Sequence, residues 1–394
     1  MKSARAAIAL LASIALTSAC GLSNTASPPG KSESIKIGAV SSLSGSATFP
    51  DSTAAAQAVF DRVNAEGGIH GHKIEYIVAD DKGDPGAAAQ AARNLVTNKG
   101  VVGLSGSASL IDCAVNASFY AKSGISSIQG VGVDPTCFES PAISPVNAGP
   151  YLSTAENLYY ASEVLKQNRV CLLLAIFGNT NDAYSKAIKS WSNLTGKKLL
   201  MEDRTIKPDS DPTPFVLRAK SKGCQAVLYN AVEPAAISMM KIVKQQNAQD
   251  MKWIMTSASY TEAVAKALGK SGDGLYANAE FEPFTQAHSP ALTDWRKLLT
   301  KKKVPLTAFG ESGYLAASHM VEALKSIKGP ITRESVTKAL KSLPPIASDM
   351  TGAPYKFGNA AKHGSNTAGK IVQLRDGEWH VASKGWMRYP GKIG

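Results

Sequence analysis

The 394-residue sequence contains no apolar run long enough to cross a bilayer. The apolar segment 6–16 has about half of the ~20 residues that a membrane-spanning helix needs. Lys2 and Arg5 precede this segment, and small residues follow it. A short apolar run between positive charges and small residues is typical of an export signal. We therefore expect residues 1–19 to be a signal peptide.

The motifs of common enzyme and nucleotide sites are incomplete. The stretch 103–107 lacks the final glycine of the GxSxG motif of serine hydrolases. The stretch 269–271 is similar to a phosphate-binding loop, but the first glycine of such a loop is missing. Gly130 and Gly132 lack the third glycine of a dinucleotide-binding fingerprint. The sequence therefore predicts no catalytic residue and no cofactor, and an amide or ester hydrolase is kept only as an alternative.

The charge is basic, but it is not concentrated in long clusters. The formal net charge of +12 becomes +10 without segment 1–19, which carries Lys2 and Arg5 and no acidic residue. The lysines are dispersed apart from the run 301–303, which we interpret as a solvated helix end. Export separates a protein from most nucleic acids, so we expect no nucleic-acid partner.

Cysteine is scarce, with five residues in the chain. Apart from Cys20, four remain, and an even number in an oxidising compartment favours disulfides. Three pairings are open. A doubly wound sheet favours Cys113 with Cys137, because both would lie just beyond strands of the first half. Cys171 and Cys224 would open neighbouring strands, where they can pair or stay as buried thiols. Metal binding is the competing interpretation, but no pair has CxxC spacing and no histidine lies nearby, so we expect no metal.

Strand and helix patterns alternate along most of the chain. Segment 35–85 runs from a strand of alternating polarity through a Ser/Gly loop, a helix and a Gly-Gly turn into a second strand that ends in two aspartates. Similar units continue to about residue 256, long helices follow, and Asp376-Gly377 is typical of a hairpin turn. This alternation predicts an α/β fold with parallel sheets covered on both faces. A mature chain of roughly 375 residues fits two domains.

Three motifs carry a family resemblance. Leu43-Ser44-Gly45, the segment 64–73 with its Gly-Gly-Ile-His-Gly-His turn, and the Asp-Asp-Lys-Gly-Asp-Pro segment 80–85 resemble the opening of the type 1 solute-binding proteins, among them the leucine/isoleucine/valine-binding protein. The resemblance implies two doubly wound parallel-sheet lobes joined by a three-segment hinge. It also implies a monomer that encloses a small carboxylate-bearing or amino-acid-like solute and delivers it to an ABC transporter permease. A ligand sensor of the same fold, which reports to a membrane receptor, is the alternative.

The resemblance also suggests how the chain divides into lobes. We expect the first lobe to comprise two stretches of chain and the second lobe two others. In chain order the expected segments are the tether 20–34, first lobe 35–152, second lobe 153–282, return to the first lobe 283–365, and a second-lobe hairpin 366–394.

A membrane anchor is expected at the mature N-terminus. Residues 16–20 resemble a bacterial lipoprotein box, although Thr17 stands where leucine is usual, and the resemblance implies a lipid on Cys20. The following segment 21–34 is rich in Ser, Pro, Gly and Thr, which suits a solvated tether. An ordinary export signal with an incidental cysteine is the alternative. The expected location is outside the cytoplasm, anchored to a membrane.

The expected binding site lies beyond the carboxyl ends of the strands, where open parallel sheets bind ligands. The Ser- and Gly-rich stretches there can present hydroxyl and N–H groups to a carboxylate. The resemblance places Ser107 at the position whose hydroxyl holds that carboxylate and Tyr184 where an aromatic ring closes over the ligand. The full set of expected contacts is Phe49, Ser105, Ser107, Ala108, Gly130, Val133, Tyr184 and Glu233.

Two expected contacts depart from the pattern of the family. Gly130-Val131-Gly132-Val133 stands where the amino-acid binders have a backbone-plus-threonine clamp, so the hydroxyl is missing. The acid that pairs with a ligand ammonium would fall at 257–259, where no acid exists. Glu233 is the best substitute in the sequence, because a buried ammonium needs a countercharge.

Overall fold

The computed structural model describes residues 33–45, 47–364 and 366–393. A first parallel sheet has the strand order β2-β1-β3-β4-β5. Strands β1 and β2 pair over their whole length, from Ile35 opposite Ile74 to Ser41 opposite Asp80. The strands are β1 Ile35–Ser41, β2 Ile74–Asp80, β3 Gly103–Ala108, β4 Ser127–Val131 and β5 Ile143–Pro145.

Helices between these strands begin at residues suited to helix starts. Pro50 and Pro85 lie in the first turns of two of them, and the Asp84 carboxylate accepts a hydrogen bond from Ala87 N at 2.8 Å. A π-helical stretch, Asn94–Asn98, extends the second helix. The helices are α1 Pro50–Ala65, α2 Pro85–Arg93, α3 Asp112–Lys122 and α4 Pro135–Glu139.

The second sheet is mixed. Its strand order is β12-β11-β10-β9-β8-β6-β7, with β13 paired to β11. Strands β6 to β10 pair in parallel, whereas β11 is antiparallel to both β10 and β12. The predicted hairpin is present, but the predicted strands do not include β10. The strands are β6 Val170–Leu173, β7 Met201–Asp203, β8 Ala226–Tyr229, β9 Lys252–Met255, β10 Tyr276–Ala279, β11 Ala368–Arg375, β12 Glu378–Val381 and β13 Met387–Arg388.

The remaining helices divide between the two sheets. Helices α5 to α9 pack with the second sheet or with each other, and a π-helical stretch, Tyr160–Val164, extends α5. Helices α10 to α12 pack on α1, β3 and β4 of the first sheet. The helices are α5 Pro150–Tyr159, α6 Asn181–Thr195, α7 Thr213–Lys222, α8 Glu233–Gln245, α9 Glu262–Leu268, α10 Thr293–Lys302, α11 Ala308–Ser326 and α12 Arg333–Ser342.

The chain therefore builds two lobes, each a sheet with the helices packed on it. It passes from the first lobe to the second after β5, returns after β10, and passes again before β11. The predicted α/β fold with two parallel-rich sheets is confirmed. No helix within the described residues is both long and apolar enough to span a membrane. The predicted signal peptide, Cys20 and nearly all of the tether lie outside the described residues.

Both disulfides are present. Cys113 at the start of α3 bonds to Cys137 in α4, with a Cα–Cα distance of 5.1 Å. Cys171 in β6 bonds to Cys224, which precedes the neighbouring strand β8, with a Cα–Cα distance of 5.9 Å. The favoured pairing is confirmed, and the strand cysteines that the sequence left open are paired as well.

Candidate interlobe binding site

A cavity of about 100 Å³ lies beyond the carboxyl ends of strands from both sheets. We call it the interlobe cavity. A cavity of this order of size can hold one small organic molecule. On the side of the first lobe it is lined by Phe49, Leu110, Val131, Gly132, Val133, Asn147, Ala308 and Phe309, and on the side of the second by Pro150, Phe177, Tyr184, Asn230, Val232, Thr256, Ser257, Ala258, Glu280 and Phe281.

The wall contributed by the first lobe is apolar. Phe49 immediately precedes α1 and packs edge-on against Phe309, with ring centroids 5.1 Å apart. Phe49 and Val131 form a small buried cluster with Ala108, and Val133 packs against it. This wall offers dispersion contacts and water exclusion to the body of a ligand.

Tyr184 is held in place by Asn230. The Asn230 Nδ2 donates to the Tyr184 hydroxyl at 2.9 Å and to Ala175 O at 2.9 Å, and Asn230 Oδ1 accepts from Ala175 N at 2.7 Å. Burial raises the pKa of Tyr184 to about 12, so its hydroxyl stays protonated at neutral pH. Asn230 therefore positions an aromatic ring that contributes to the cavity wall.

Glu280 is the acidic side chain of the cavity lining. It follows β10 directly and is 7% exposed. Oε1 accepts from Gly149 N at 2.7 Å, and Oε2 accepts from Ser257 Oγ at 3.0 Å. Burial raises the pKa of its carboxyl, while these hydrogen bonds oppose that rise. Sequence reasoning missed Glu280 because β10 was not among the predicted strands; an acid directly after a strand-like segment was the available signal.

Backbone hydrogen-bonding groups in the turn after β4 are paired with side chains of the protein. Asn147 Oδ1 accepts from Gly132 N at 2.8 Å, and its Nδ2 donates to Gly132 O at 3.1 Å. Val133 O accepts from the Tyr151 hydroxyl at 2.8 Å. The backbone groups of Gly132, which the sequence places at the clamp of the amino-acid binders, are thus already bonded to a side chain.

The predicted contacts fall into three groups. Phe49, Val133 and Tyr184 line the interlobe cavity. Ser105, Ser107, Ala108 and Gly130 lie within β3 and β4 and are not part of that lining. Glu233 begins α8, where its carboxylate accepts from Thr261 Oγ1 at 2.7 Å, and it is not part of the lining either.

The serines of β3 are enclosed because they lie within the strand and not in a loop beyond its end. Ser107 is fully buried, and its Oγ accepts from Val40 N at 3.2 Å. The pairing of β3 with β4 shifts register on both sides of Ser107, and Gly106 has a φ of +77°. An added Cβ at Gly106 would come within 2.8 Å of the Ala56 methyl, so both backbone angle and space favour glycine.

Comparisons with known proteins agree with this architecture. Residues 34–378 match the family described as periplasmic binding protein. The Leu/Ile/Val-binding protein of Escherichia coli (strain K12) is 25% identical over 359 residues, which cover 85% of this chain and 93% of the relative. LivJ from Streptococcus pneumoniae, solved in complex with isoleucine, has a TM-score of 0.77 at 18% identity and covers 90% of this chain and 99% of its own. A fatty acid ABC transporter substrate-binding protein from Thermomonospora curvata has a TM-score of 0.75 at 21% identity, with 90% and 92% covered.

Two α/β lobes with a lined cavity between the carboxyl ends of their strands suit a protein that encloses a solute. This chain belongs to the periplasmic binding protein family, whose members are non-enzymatic solute binders. The resemblance seen in the three sequence motifs is thereby confirmed.

Proposed function

We propose that this protein is the solute-binding component of an ABC transporter and captures a small organic solute of about amino-acid size in the interlobe cavity. The observation that carries the proposal is the cavity itself, which draws its lining from both lobes. The relatives support it, since the Escherichia coli protein is named for leucine, isoleucine and valine and the Streptococcus pneumoniae structure contains isoleucine.

The mechanism requires no bond making. A ligand that contacts Phe49 and Val133 on one wall and Tyr184 on the other has more contacts when the lobes are closed than when they are apart. Differential contact of this kind shifts the population toward the closed form. The three chain segments that connect the lobes would act as the hinge, and the closed form would be presented to the permease.

The proposal includes a membrane anchor. A lipid on Cys20 followed by the tether 20–34 would keep the protein at the membrane surface beside its transporter while allowing the lobes to move. The composition of the tether supports this arrangement, because Ser-, Pro- and Gly-rich segments bury too little to fold.

A thermal-shift screen against a metabolite panel tests the proposed function. A true ligand at a hundredfold excess over its dissociation constant should add about 2.7 kcal/mol to the free energy of unfolding. Small-angle scattering with the same compound should show a smaller radius of gyration, because the lobes close. A panel of amino acids, amines, amides and short organic acids that produces neither change would contradict the proposal.

A further inference from the structure

The lining of the interlobe cavity is acidic. Among the described residues that line it, Glu280 is the one acid, and none is lysine, arginine or histidine. No ion pair involves Glu280 within the described part of the chain. A buried carboxylate without a cation is costly unless it is neutralised or partnered. The cavity lining therefore has no positive charge to pair with Glu280, and a ligand could supply one.

Glu280 accepts hydrogen bonds from the protein, but its carboxylate can accept more. The Gly149 N–H and the Ser257 hydroxyl each donate to one oxygen, at 2.7 and 3.0 Å. The other two contacts are shared: Ser153 Oγ lies 3.3 Å from both Glu280 Oε1 and Asn278 Oδ1, and Asn147 Nδ2 lies 3.5 Å from Oε2 while donating to Gly132 O at 3.1 Å. A carboxylate has about four acceptor sites, so the two firm bonds leave room for an N–H donor.

Two of the groups expected to hold a ligand carboxylate are enclosed or already bonded. Ser107 Oγ accepts from Val40 N inside the sheet, and Gly132 N donates to Asn147 Oδ1. A ligand carboxylate in the cavity would also stand close to Glu280, where burial strengthens the repulsion between like charges. The described lining offers no cationic side chain to offset that repulsion.

We propose that the ligand is a small primary amine with an apolar body and no carboxylate, whose ammonium group binds Glu280. This inference rests on the proposed function and names its substrate class. The ammonium donates to the Glu280 carboxylate and neutralises it. The apolar body packs against Phe49, Phe309 and Val131, which form the opposite wall. The raised pKa of Glu280 agrees with this role, because a bound cation favours the ionised carboxylate that burial disfavours.

Four compounds with the same branched carbon body test the inference by calorimetry on the unmodified protein at neutral pH. Isoamylamine carries only the ammonium, 4-methylpentanoate only the carboxylate, leucine both groups, and 4-methylpentanamide neither charge. We expect isoamylamine to bind at least tenfold more tightly than each of the other three. Leucine, the carboxylate or the amide binding as tightly as the amine would overturn the inference.

Two variants test whether Glu280 is the negative charge that pairs with the ligand ammonium. Glu280→Gln keeps the size of the side chain and should weaken isoamylamine binding at least tenfold. Glu322→Gln, which removes an exposed acid from α11, should leave the affinity within twofold. Equal affinity in wild type and Glu280→Gln would overturn the role of Glu280. The ligand comparison in the unmodified protein stands even if Glu280→Gln folds poorly.

The outcomes separate this inference from the proposed function. Binding of none of the four compounds overturns the amine inference. The proposed function fails only if the complete metabolite panel produces no thermal shift and no closure.

Discussion

At the scale of single residues, burial decides the ionisation of the acids near the junction of the lobes. Glu156 in α5 is fully buried, and its Oε2 accepts from Asn278 Nδ2 at 2.9 Å. Burial raises the pKa of Glu156 to about 8; the bond from Asn278 opposes that rise, and the nearby charge of Glu280 adds to it. Glu156 thus carries a proton in the folded state at pH values where an unfolded chain has lost it.

This protonation makes the stability dependent on pH. The pKa of Glu156 is about 8 in the folded state, against an ordinary value of 4.5. Between these pH values the folded state binds one proton more than the unfolded state, so the free energy of unfolding falls as pH rises. Glu156→Gln has no proton to lose. Its free energy of unfolding should rise relative to wild type by up to about 1.4 kcal/mol per pH unit over that window. Urea unfolding from pH 4 to 9 measures the difference, and parallel curves for the two proteins would contradict the assignment.

The variant Ser107→Ala distinguishes a structural role of Ser107 from a role in ligand binding. Its hydroxyl accepts from the buried Val40 N–H, so Ser107→Ala should leave that donor unpaired and cost about 1–3 kcal/mol of stability. The affinity of the folded protein for its ligand should change less than threefold, because Ser107 is not part of the cavity lining. Chemical denaturation and calorimetry with a ligand found in the screen measure the two effects. A tenfold loss of affinity with unchanged stability would restore the role that the family resemblance implies.

At the scale of elements, the close approach of α1 and α11 holds the returning chain on the first lobe. A Cβ added at Gly313 would lie 1.8 Å from Ser52 O, a backbone atom that cannot move without its helix. Helices this close exclude any side chain at the crossing. The glycine is therefore required by the contact between helices, even though a glycine lowers the intrinsic stability of a helix interior.

Gly313→Ala tests this contact. The added methyl group should force the helices apart and cost about 3 kcal/mol of stability, at the upper end of typical overpacking costs. Gly329→Ala is the matched control, since nothing lies within 4 Å of a Cβ at that position, and its stability should stay within about 0.5 kcal/mol of wild type. Urea unfolding measures both. Equal stability of the two variants would show that the helices can separate freely.

The disulfides link elements within each lobe. Their sequence separations are 24 residues for Cys113–Cys137 and 53 for Cys171–Cys224. The chain-entropy account predicts losses of about 3.5 and about 4 kcal/mol when each pair is replaced by alanine. Urea unfolding of the two double variants provides the comparison, and non-reducing peptide mass spectrometry should recover both linked pairs. Four free thiols in the mature protein would contradict the pairings.

At the scale of the whole molecule, the predicted lipid on Cys20 decides where the cavity operates. Wild type should fractionate with membranes and incorporate radiolabelled fatty acid, because a lipid anchor supplements any surface attraction of the basic chain. Cys20→Ser should be released or poorly processed. The double variant Cys113→Ala/Cys137→Ala is the control, since it retains Cys20 and should stay with membranes. Identical soluble behaviour of wild type and Cys20→Ser would contradict the anchor.

Much of the fold could be read from the sequence because its signals are local. The two-residue period of β1 and the helical period of α1 are properties of neighbouring residues, and so is the Asp84-Pro85 helix start. The even set of cysteines indicated disulfides before any contact was known. Neighbouring residues did not predict β10 or the end of β3, because a short strand is defined by the strands with which it pairs.

The binding site depended on tertiary structure. Ser107, Glu233 and Glu280 all lie at or near strand ends or helix starts, and only the first two were predicted from the sequence to contact the ligand. Strand register buries Ser107 in the first sheet, and Thr261 holds Glu233 away from the cavity. The opposition of the two sheets brings Glu280 into the same cavity as Phe49, 231 positions earlier in the chain. Most helices and strands, and the family, could be predicted from local patterns, because these signals lie in residues close together along the chain. Which side chains line the cavity depends on strand register and on packing between residues far apart in sequence, so it became visible only in the folded chain.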